Sequence, residues 1–139
     1  MFFNEVAILN QLATAMFEAR LPGGLLVSQF AVLNHLIRVK DGQTPLALAR
    51  AFQVPKTTMT HSLAVLERPG LIRLLPNPKD GRSKCVWITD AGRALRGAAI
   101  AALAPDVAAL AAEFPGDRIA TALPVLAELR RLMDAMRSR

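Results

Sequence analysis

The stretch "ALARAFQVPKTTMTHSLAVLERPGLIRLLPNPKDGRSKCVWITDAG", residues 47–92, contains the elements that decide the fold. A short helical pattern stalls at "QVP", and a second helical pattern ends at "RPG". Two β-type runs follow, residues 71–75 and 85–89, and a charged tip joins them. A short helix, a tight turn, a second helix and a charged hairpin, in this order, predict a winged helix-turn-helix.

The second of these helices is predicted to begin at Lys56 or Thr57 and to run to about Arg68. Its apolar residues recur at helical spacing and are expected to be buried: Met59, Leu63 and Leu66. Its outward face then carries Thr57, Thr60, His61 and Ala64. Such a helix fits the major groove of DNA, where side chains in its first two turns reach the base edges.

Positive charge is concentrated in the same part of the chain. The formal net charge of the whole chain is +6. Between Lys56 and Lys84 six basic residues stand against two acidic ones, so a net +4 lies in about one fifth of the chain. A patch of this kind predicts a polyanionic partner, either nucleic acid or an acidic membrane surface.

Helical patterns also precede the stretch. Residues 2–19 have apolar side chains at steps of three and four, which predicts an amphipathic helix that "LPGG", residues 21–24, ends. Ser28 is expected to cap a second helix. Thr44 is expected to cap the short third helix, with Pro45 at its first position, where the missing N–H costs nothing.

Two further helices are predicted downstream. Thr89 is expected to cap a long Ala-rich helix that Pro105 kinks. A last helix runs from after "PGD", residues 115–117, to Met136, and Pro124 is expected to distort its first turns. The predicted fold is therefore mainly α with a small β-hairpin, in the order α-α-α-α-β-β-α-α.

The second strand of the hairpin has alternating residues. Val86 and Ile88 are expected to face the core, while Cys85 and Trp87 face outward. Trp87 is expected to pack against a neighbouring helix or a wing residue, in preference to stacking on a cofactor. A redox-sensing role for Cys85 is the less favoured alternative to a structural one.

Length and composition favour one soluble domain. The chain has 139 residues, 53% of them hydrophobic, so residues 1–139 can bury a substantial core. Pro105 and Asp106 are expected to cut the Ala-rich run short of a membrane span, and the N-terminus lacks the basic region of a signal peptide. A single cysteine agrees with a reducing compartment. These features predict a cytoplasmic protein without a membrane partner.

No catalytic motif is found in the sequence. It has no nucleophile with its base, no Gly-rich phosphate loop and no paired carboxylates. Its two histidines and one cysteine lack the spacing of a metal site. The chain is therefore predicted not to be an enzyme and to need no cofactor or metal.

Residues 47–92 resemble the helix-turn-helix and wing of the MarR family of bacterial transcriptional regulators. The most specific part of the resemblance is the wing pattern Asp80, Gly81, Arg82 and Ser83, followed by Val86, Ile88, Thr89 and Gly92. The resemblance as a whole, over residues 47–92, covers roughly a third of the chain. The terminal helical stretches fit the family's dimerisation helices in length and order.

The resemblance implies a homodimer. Residues 1–22 and 91–139 would form the helical dimerisation region, and residues 28–90 would form the winged lobe. The two lobes would bind an inverted-repeat operator in double-stranded DNA. A small-molecule effector, or oxidation, would tune repression or activation.

The resemblance also implies particular DNA contacts. The recognition helix would contribute Lys56, Thr57, Thr58, Thr60 and His61, and the wing would contribute Lys79, Asp80, Arg82, Ser83 and Lys84. Arg82 would enter the minor groove, Asp80 would brace it by an ion pair, and Arg73 would contact the DNA backbone. The chain departs from the family pattern at three places: Pro55 replaces a capping Ser, His61 an Arg and Pro69 a Lys.

Two other functions remain open from the residues alone. A winged helix can serve as a protein–protein assembly module, although such a module would not need a net +4 on its wing and second helix. The same charge would suit an architectural DNA binder with little sequence preference. A solvated hairpin tip would also explain Arg82 and Lys84 without any partner.

Overall fold

The computed structural model describes residues 1–137, and the predicted order of elements is confirmed. The helices are α1 (Phe2–Glu18), α2 (Val27–Arg38), α3 (Pro45–Ala51), α4 (Lys56–Glu67), α5 (Asp90–Glu113) and α6 (Gly116–Arg137). A 3₁₀ turn, Pro22–Gly24, joins α1 to α2. The strands β1 (Ile72–Asn77) and β2 (Asp80–Ile88) form an antiparallel hairpin between α4 and α5.

The core lies where α2, α3, α4 and the hairpin meet. Its most deeply buried side chains come from all of these elements: Val32, Leu33, Leu36, Leu48, Leu63, Leu66, Ile72 and Val86. The predicted buried face of α4 is confirmed, because Met59, Leu63 and Leu66 are its buried residues. This packing fixes α4 and the hairpin relative to each other and leaves the opposite face of α4 exposed.

The start of α2 differs from the sequence prediction. The N-cap residue is Leu26, and not Ser28. The Leu26 N–H donates to Oε1 of the buried Gln29, and the Val27 N–H donates to Oε1 of Glu18 at the end of α1, both at 3.0 Å. Two longer side chains, and not a serine hydroxyl, therefore satisfy free N–H groups at the start of α2.

The predicted caps of α3 and α5 are confirmed. The Ala47 N–H donates to Thr44 Oγ1 at 3.2 Å, with Pro45 at the first helical position. The Gly92 N–H donates to Thr89 Oγ1 at 3.1 Å, and that hydroxyl donates to the Gly70 carbonyl oxygen. Thr89 thus ties the start of α5 to the loop before β1.

The strands extend further toward the tip than predicted. They pair from Ile72 with Ile88 to Asn77 with Asp80, with an irregularity between Pro76 and Asn77. The predicted runs, 71–75 and 85–89, were therefore too short. The ladder extends because Asn77 closes the tip, donating from Nδ2 to Ser83 Oγ and accepting the Lys79 N–H.

The expected exposure of Cys85 was wrong. Trp87 is 42% exposed, but Cys85 is only 7% exposed. The segment before α3 runs along the free edge of β2, where Gln43 pairs with Val86, and it covers Cys85. A side chain's exposure here depends on a third stretch of backbone, which strand alternation alone does not reveal.

The chain divides into two compact units, Met1–Leu103 and Ala104–Arg139, with the division inside α5. The expectation that Pro105 and Asp106 would interrupt the apolar run was wrong, since α5 continues through both residues. By length and composition α5 could cross a membrane. Its most apolar 18 residues have a mean hydropathy of 1.5, and 6% of them are buried. One such helix is weak evidence for a membrane protein.

Candidate nucleic-acid interface

The first turn of α4 has no side-chain cap. Its N-cap residue is Pro55, whose side chain offers no acceptor to the N–H groups of the first turn. The N–H groups of the first helical turn have no partner inside a helix, and the helix dipole adds partial positive charge there. Lys56 adds a full charge at the same end. The start of α4 is consequently suited to an anion such as a phosphate group.

The exposed face of α4 carries the residues that the sequence predicted. Thr57, Thr58, Thr60 and His61 are all exposed, as is Lys56. The Thr60 hydroxyl donates to the Lys56 carbonyl oxygen at 2.9 Å. The structure therefore places all five predicted recognition-helix residues on one accessible end of α4.

The predicted wing residues lie at the tip and along the start of β2. Lys79, Asp80, Arg82 and Lys84 are exposed, and Ser83 is half-buried. The Ser83 hydroxyl accepts from Asn77 and donates to the Asp80 carbonyl oxygen at 3.3 Å. Three cationic side chains thus extend from a tip whose backbone is held by hydrogen bonds.

Asp80 contacts the backbone of Arg82. Its Oδ1 accepts the Arg82 N–H at 3.0 Å. Among the residues that the structure describes, no ion pair joins this carboxylate to the Arg82 guanidinium. Asp80 therefore shapes the turn and leaves the Arg82 side chain available to a partner.

A cleft of about 570 Å³ lies between the start of α4 and the wing. Its lining includes Lys56 from α4 and Arg82 and Lys84 from β2, with Thr44 and Pro45 at the start of α3. Three cations and the Asp80 carboxylate therefore face one space, three positive charges against one negative, a net +2. This positive cleft attracts an anionic partner, because the fields of charges that face one space add.

Two predicted cations, Arg73 and Lys79, lie outside this cleft. Arg73 is exposed on β1 and pairs in register with Trp87. Lys79 lines a second cleft of about 350 Å³ together with Lys40, Cys85 and Trp87. Arg73 and Lys79 are thus separated from the three cations that the structure brings together.

The role of Asp41 was missed from the sequence. Its Oδ1 accepts the N–H groups of Gly42 and Ile88, both at 3.0 Å, and its Oδ2 lies 3.5 Å from the Arg93 guanidinium. Asp41 therefore holds the base of the wing to the turn before α3 and to the start of α5. The signal was present in "KDGQ", residues 40–43, because Asp-Gly marks a turn, but the sequence gives no sign of the distant N–H groups.

Trp87 packs against the same turn. A Cβ atom at Gly42 would lie 2.5 Å from Cη2 of the Trp87 ring, so only glycine allows this approach. Trp87 was expected to pack against a neighbouring helix or a wing residue, and its ring lies instead against the turn before α3. Within residues 1–137 no group of three or more His, Cys, Asp or Glu side chains could hold a metal ion.

Comparison with known proteins decides the family. A family model described as "MarR family" matches residues 23–83. Transcriptional regulator HosA of Escherichia coli O111:H- is 36% identical over 98 residues, which cover 70% of this chain and 71% of that protein. The chain belongs to the MarR family. The predicted family is thereby confirmed.

Other proteins named as regulators match as well. The transcriptional activatory protein BadR of Rhodopseudomonas palustris is 34% identical over 62% of this chain and 49% of its own length. A mutant MarR from Escherichia coli, solved in complex with operator DNA, has a TM-score of 0.80 at 25% identity, and the match covers 91% of each chain. A probable transcriptional regulator from Pseudomonas aeruginosa has a TM-score of 0.78 at 27% identity, covering 89% of this chain and 92% of that one. These relatives are named as regulators and not as enzymes.

Proposed function

We propose that this MarR-family chain is a homodimeric, sequence-specific regulator of transcription that binds an inverted-repeat operator in double-stranded DNA. The observation that carries the proposal is the cleft into which Lys56, Arg82 and Lys84 all face. The recognition helix enters the major groove, and its uncapped start and the wing contact the flanking phosphates and minor groove. The operator-bound structure of the similar MarR protein supports the same partner for this chain.

The exposed apolar side chains support the homodimer. On α1, Phe2, Phe3, Leu9 and Leu12 are all exposed, Phe3 at 64%. On α6, within its own unit, Leu123, Val125, Leu132 and Met136 are exposed as well. Apolar patches of this extent on a helix are unusual at a surface that stays in water. A second copy of the chain covers them.

A small-molecule effector and a cytoplasmic location complete the proposal. The effector acts by binding the DNA-competent conformation and its alternative with unequal affinity, because a ligand with equal affinity for both shifts neither population. DNA as the partner requires a location where the operator is accessible, which is the cytoplasm of a bacterial cell. Both statements rest on the family and on the proposed partner.

Selection from a pool of random duplexes tests the proposal. At about 150 mM salt the parent protein is expected to recover an inverted repeat whose half-sites lie roughly one helical turn apart. The matched control is the triple variant Lys56→Ala, Arg82→Ala, Lys84→Ala, which removes the three cations that line the cleft and is expected to recover no sequence. Recovery of every duplex equally would instead indicate an architectural DNA binder, and recovery of none by the parent would indicate an assembly module.

A further inference from the structure

The Thr60 hydroxyl is already engaged inside its own helix. It donates to the carbonyl oxygen of Lys56, one turn earlier, at 2.9 Å. A hydroxyl has a single hydrogen, so it cannot also donate to a base edge while that bond holds. Thr60 is nevertheless exposed. Its oxygen can still accept a hydrogen bond, but thymine offers no donor in the major groove. The group of Thr60 that can contact a thymine edge is therefore its Cγ2 methyl, which is on the other branch of the same β carbon.

The neighbouring threonines differ from Thr60. Within residues 1–137, the hydroxyls of Thr57 and Thr58 have no hydrogen-bond partner, and both residues lie in the uncapped first turn of α4. Their hydroxyls remain able to donate to phosphate oxygens. One turn beyond Thr60, the exposed Ala64 presents a second methyl group on the same face. These two methyl groups form an apolar strip beside the exposed His61, although the start of the face is polar.

An apolar strip of this kind has a specific counterpart in the major groove. Thymine is the base that presents a methyl group there, and contacts from Thr or Ala methyls are among the ways in which proteins recognise it. A methyl group reads no hydrogen-bond pattern, so it distinguishes thymine from the other bases by shape and by the water that it excludes.

We propose that Thr60 reads thymine through its Cγ2 methyl group and not through its hydroxyl. This assignment rests on the proposed function, because it requires α4 to lie in a major groove. Thr57 and Thr58 then increase the affinity by donating hydrogen bonds to phosphate oxygens, while Thr60 contributes to sequence specificity.

The test uses the operator recovered by selection, with each thymine replaced in turn by uracil. This replacement removes the C5 methyl and keeps every hydrogen-bonding group of the base. At one position in each half-site, we expect the parent to bind about fourfold more weakly, the factor for one methyl returned to water. At thymines that Thr60 does not contact, replacement by uracil should change the affinity of the parent and of the Thr60 variants to the same extent.

Two variants separate the two groups of the side chain. Thr60→Ser keeps the hydroxyl and loses the methyl in both protomers. It should therefore bind the unmodified operator about fourfold more weakly for each half-site, about sixteenfold in all, and become indifferent to uracil at that position. Thr60→Val keeps the methyl and loses the hydroxyl, so it should bind like the parent and keep the sensitivity to uracil.

The outcomes are distinct. If Thr60→Val lost at least as much affinity as Thr60→Ser, or if Thr60→Ser kept the full uracil penalty, the methyl assignment would be overturned and the proposed function would stand. If the parent selected no operator at all, the proposed function would fail and the assignment would fail with it.

Discussion

At the scale of single residues, Asp80 and Arg82 have different roles in the wing. The Asp80 carboxylate accepts the Arg82 backbone N–H and so fixes the turn, while the guanidinium is exposed beside Lys56 and Lys84. The narrow minor groove has an enhanced negative potential that favours an inserted arginine. Arg82 is therefore expected to increase the affinity for DNA and to contribute little to sequence specificity.

Arg82→Ala is expected to weaken binding to the operator and to unrelated duplexes by a similar factor. The slope of log affinity against log salt should fall by about one for each wing on the DNA, because each protomer loses one cation at the interface. Fluorescence anisotropy at several salt concentrations measures both effects. Arg131→Ala, which removes the same charge from α6, serves as the control and should leave the slope unchanged. An unchanged slope for Arg82→Ala would remove Arg82 from the interface.

At the scale of elements, the turn before α3 holds the wing in place. Gln43 pairs with Val86, Asp41 accepts two N–H groups, and the Trp87 ring lies over Gly42. The hairpin is therefore supported on both edges of β2, although it contains only two strands of its own. A hairpin alone is at best marginally stable in water, so this support keeps the wing ordered.

Gly42→Ala is expected to destabilise the fold by about 2–4 kcal/mol. Gly42 has φ of +69°, which disfavours a side chain, and the added Cβ would also collide with the Trp87 ring. Gly70→Ala is the matched control, because Gly70 has φ of +79° and its added methyl group would meet nothing within 4 Å. Its cost should be limited to about 1–2 kcal/mol. Urea unfolding that gave equal losses would disprove the contribution of Trp87.

Asp41→Ala is expected to cost about 2 kcal/mol of unfolding free energy. The Gly42 and Ile88 N–H groups would lose their shared acceptor. Arg93→Ala removes only the ion pair, which is half exposed to solvent, and should cost less than about 1 kcal/mol. Thermal unfolding of the two variants makes the comparison. A larger loss from Arg93→Ala would mean that the ion pair, and not the backbone contacts, holds the wing base.

The sequence was most informative where local patterns determine the structure. The spacing of Met59, Leu63 and Leu66 predicted the buried face of α4, and Thr44 and Thr89 were recognised as caps. It was least informative where contacts join distant segments. The burial of Cys85, the role of Asp41 and the capping of α2 by Glu18 all depend on backbone that lies elsewhere in the chain. The DNA contacts of the predicted site residues stay predictions.

At the scale of the whole molecule, operator recognition requires two copies of the chain. One winged lobe reads one half-site, and an inverted repeat requires a second lobe related by twofold symmetry. The exposed apolar side chains of α1 and of α6 give each copy a surface that association can bury. Affinity for the operator is then linked to the stability of the dimer.

Equilibrium sedimentation is expected to give a dimer at micromolar concentration. Replacing apolar side chains of α1 with charged ones, for example Leu9→Glu together with Leu12→Glu, should shift the protein toward the monomer, because charges resist burial at the interface. Binding to the two-half-site operator should weaken in parallel. A parent protein that remained monomeric at this concentration would rule out the homodimer.

Sequence-specific regulation is tested most sharply by the ratio of two affinities. The dissociation constant for the selected operator is compared with that for a duplex of the same composition and shuffled sequence, at about 150 mM salt. A sequence-specific regulator is expected to show a ratio of at least about 10³ in favour of the operator. A ratio near one, with equally steep salt dependence on both duplexes, would contradict this function and leave a DNA binder that reads charge alone.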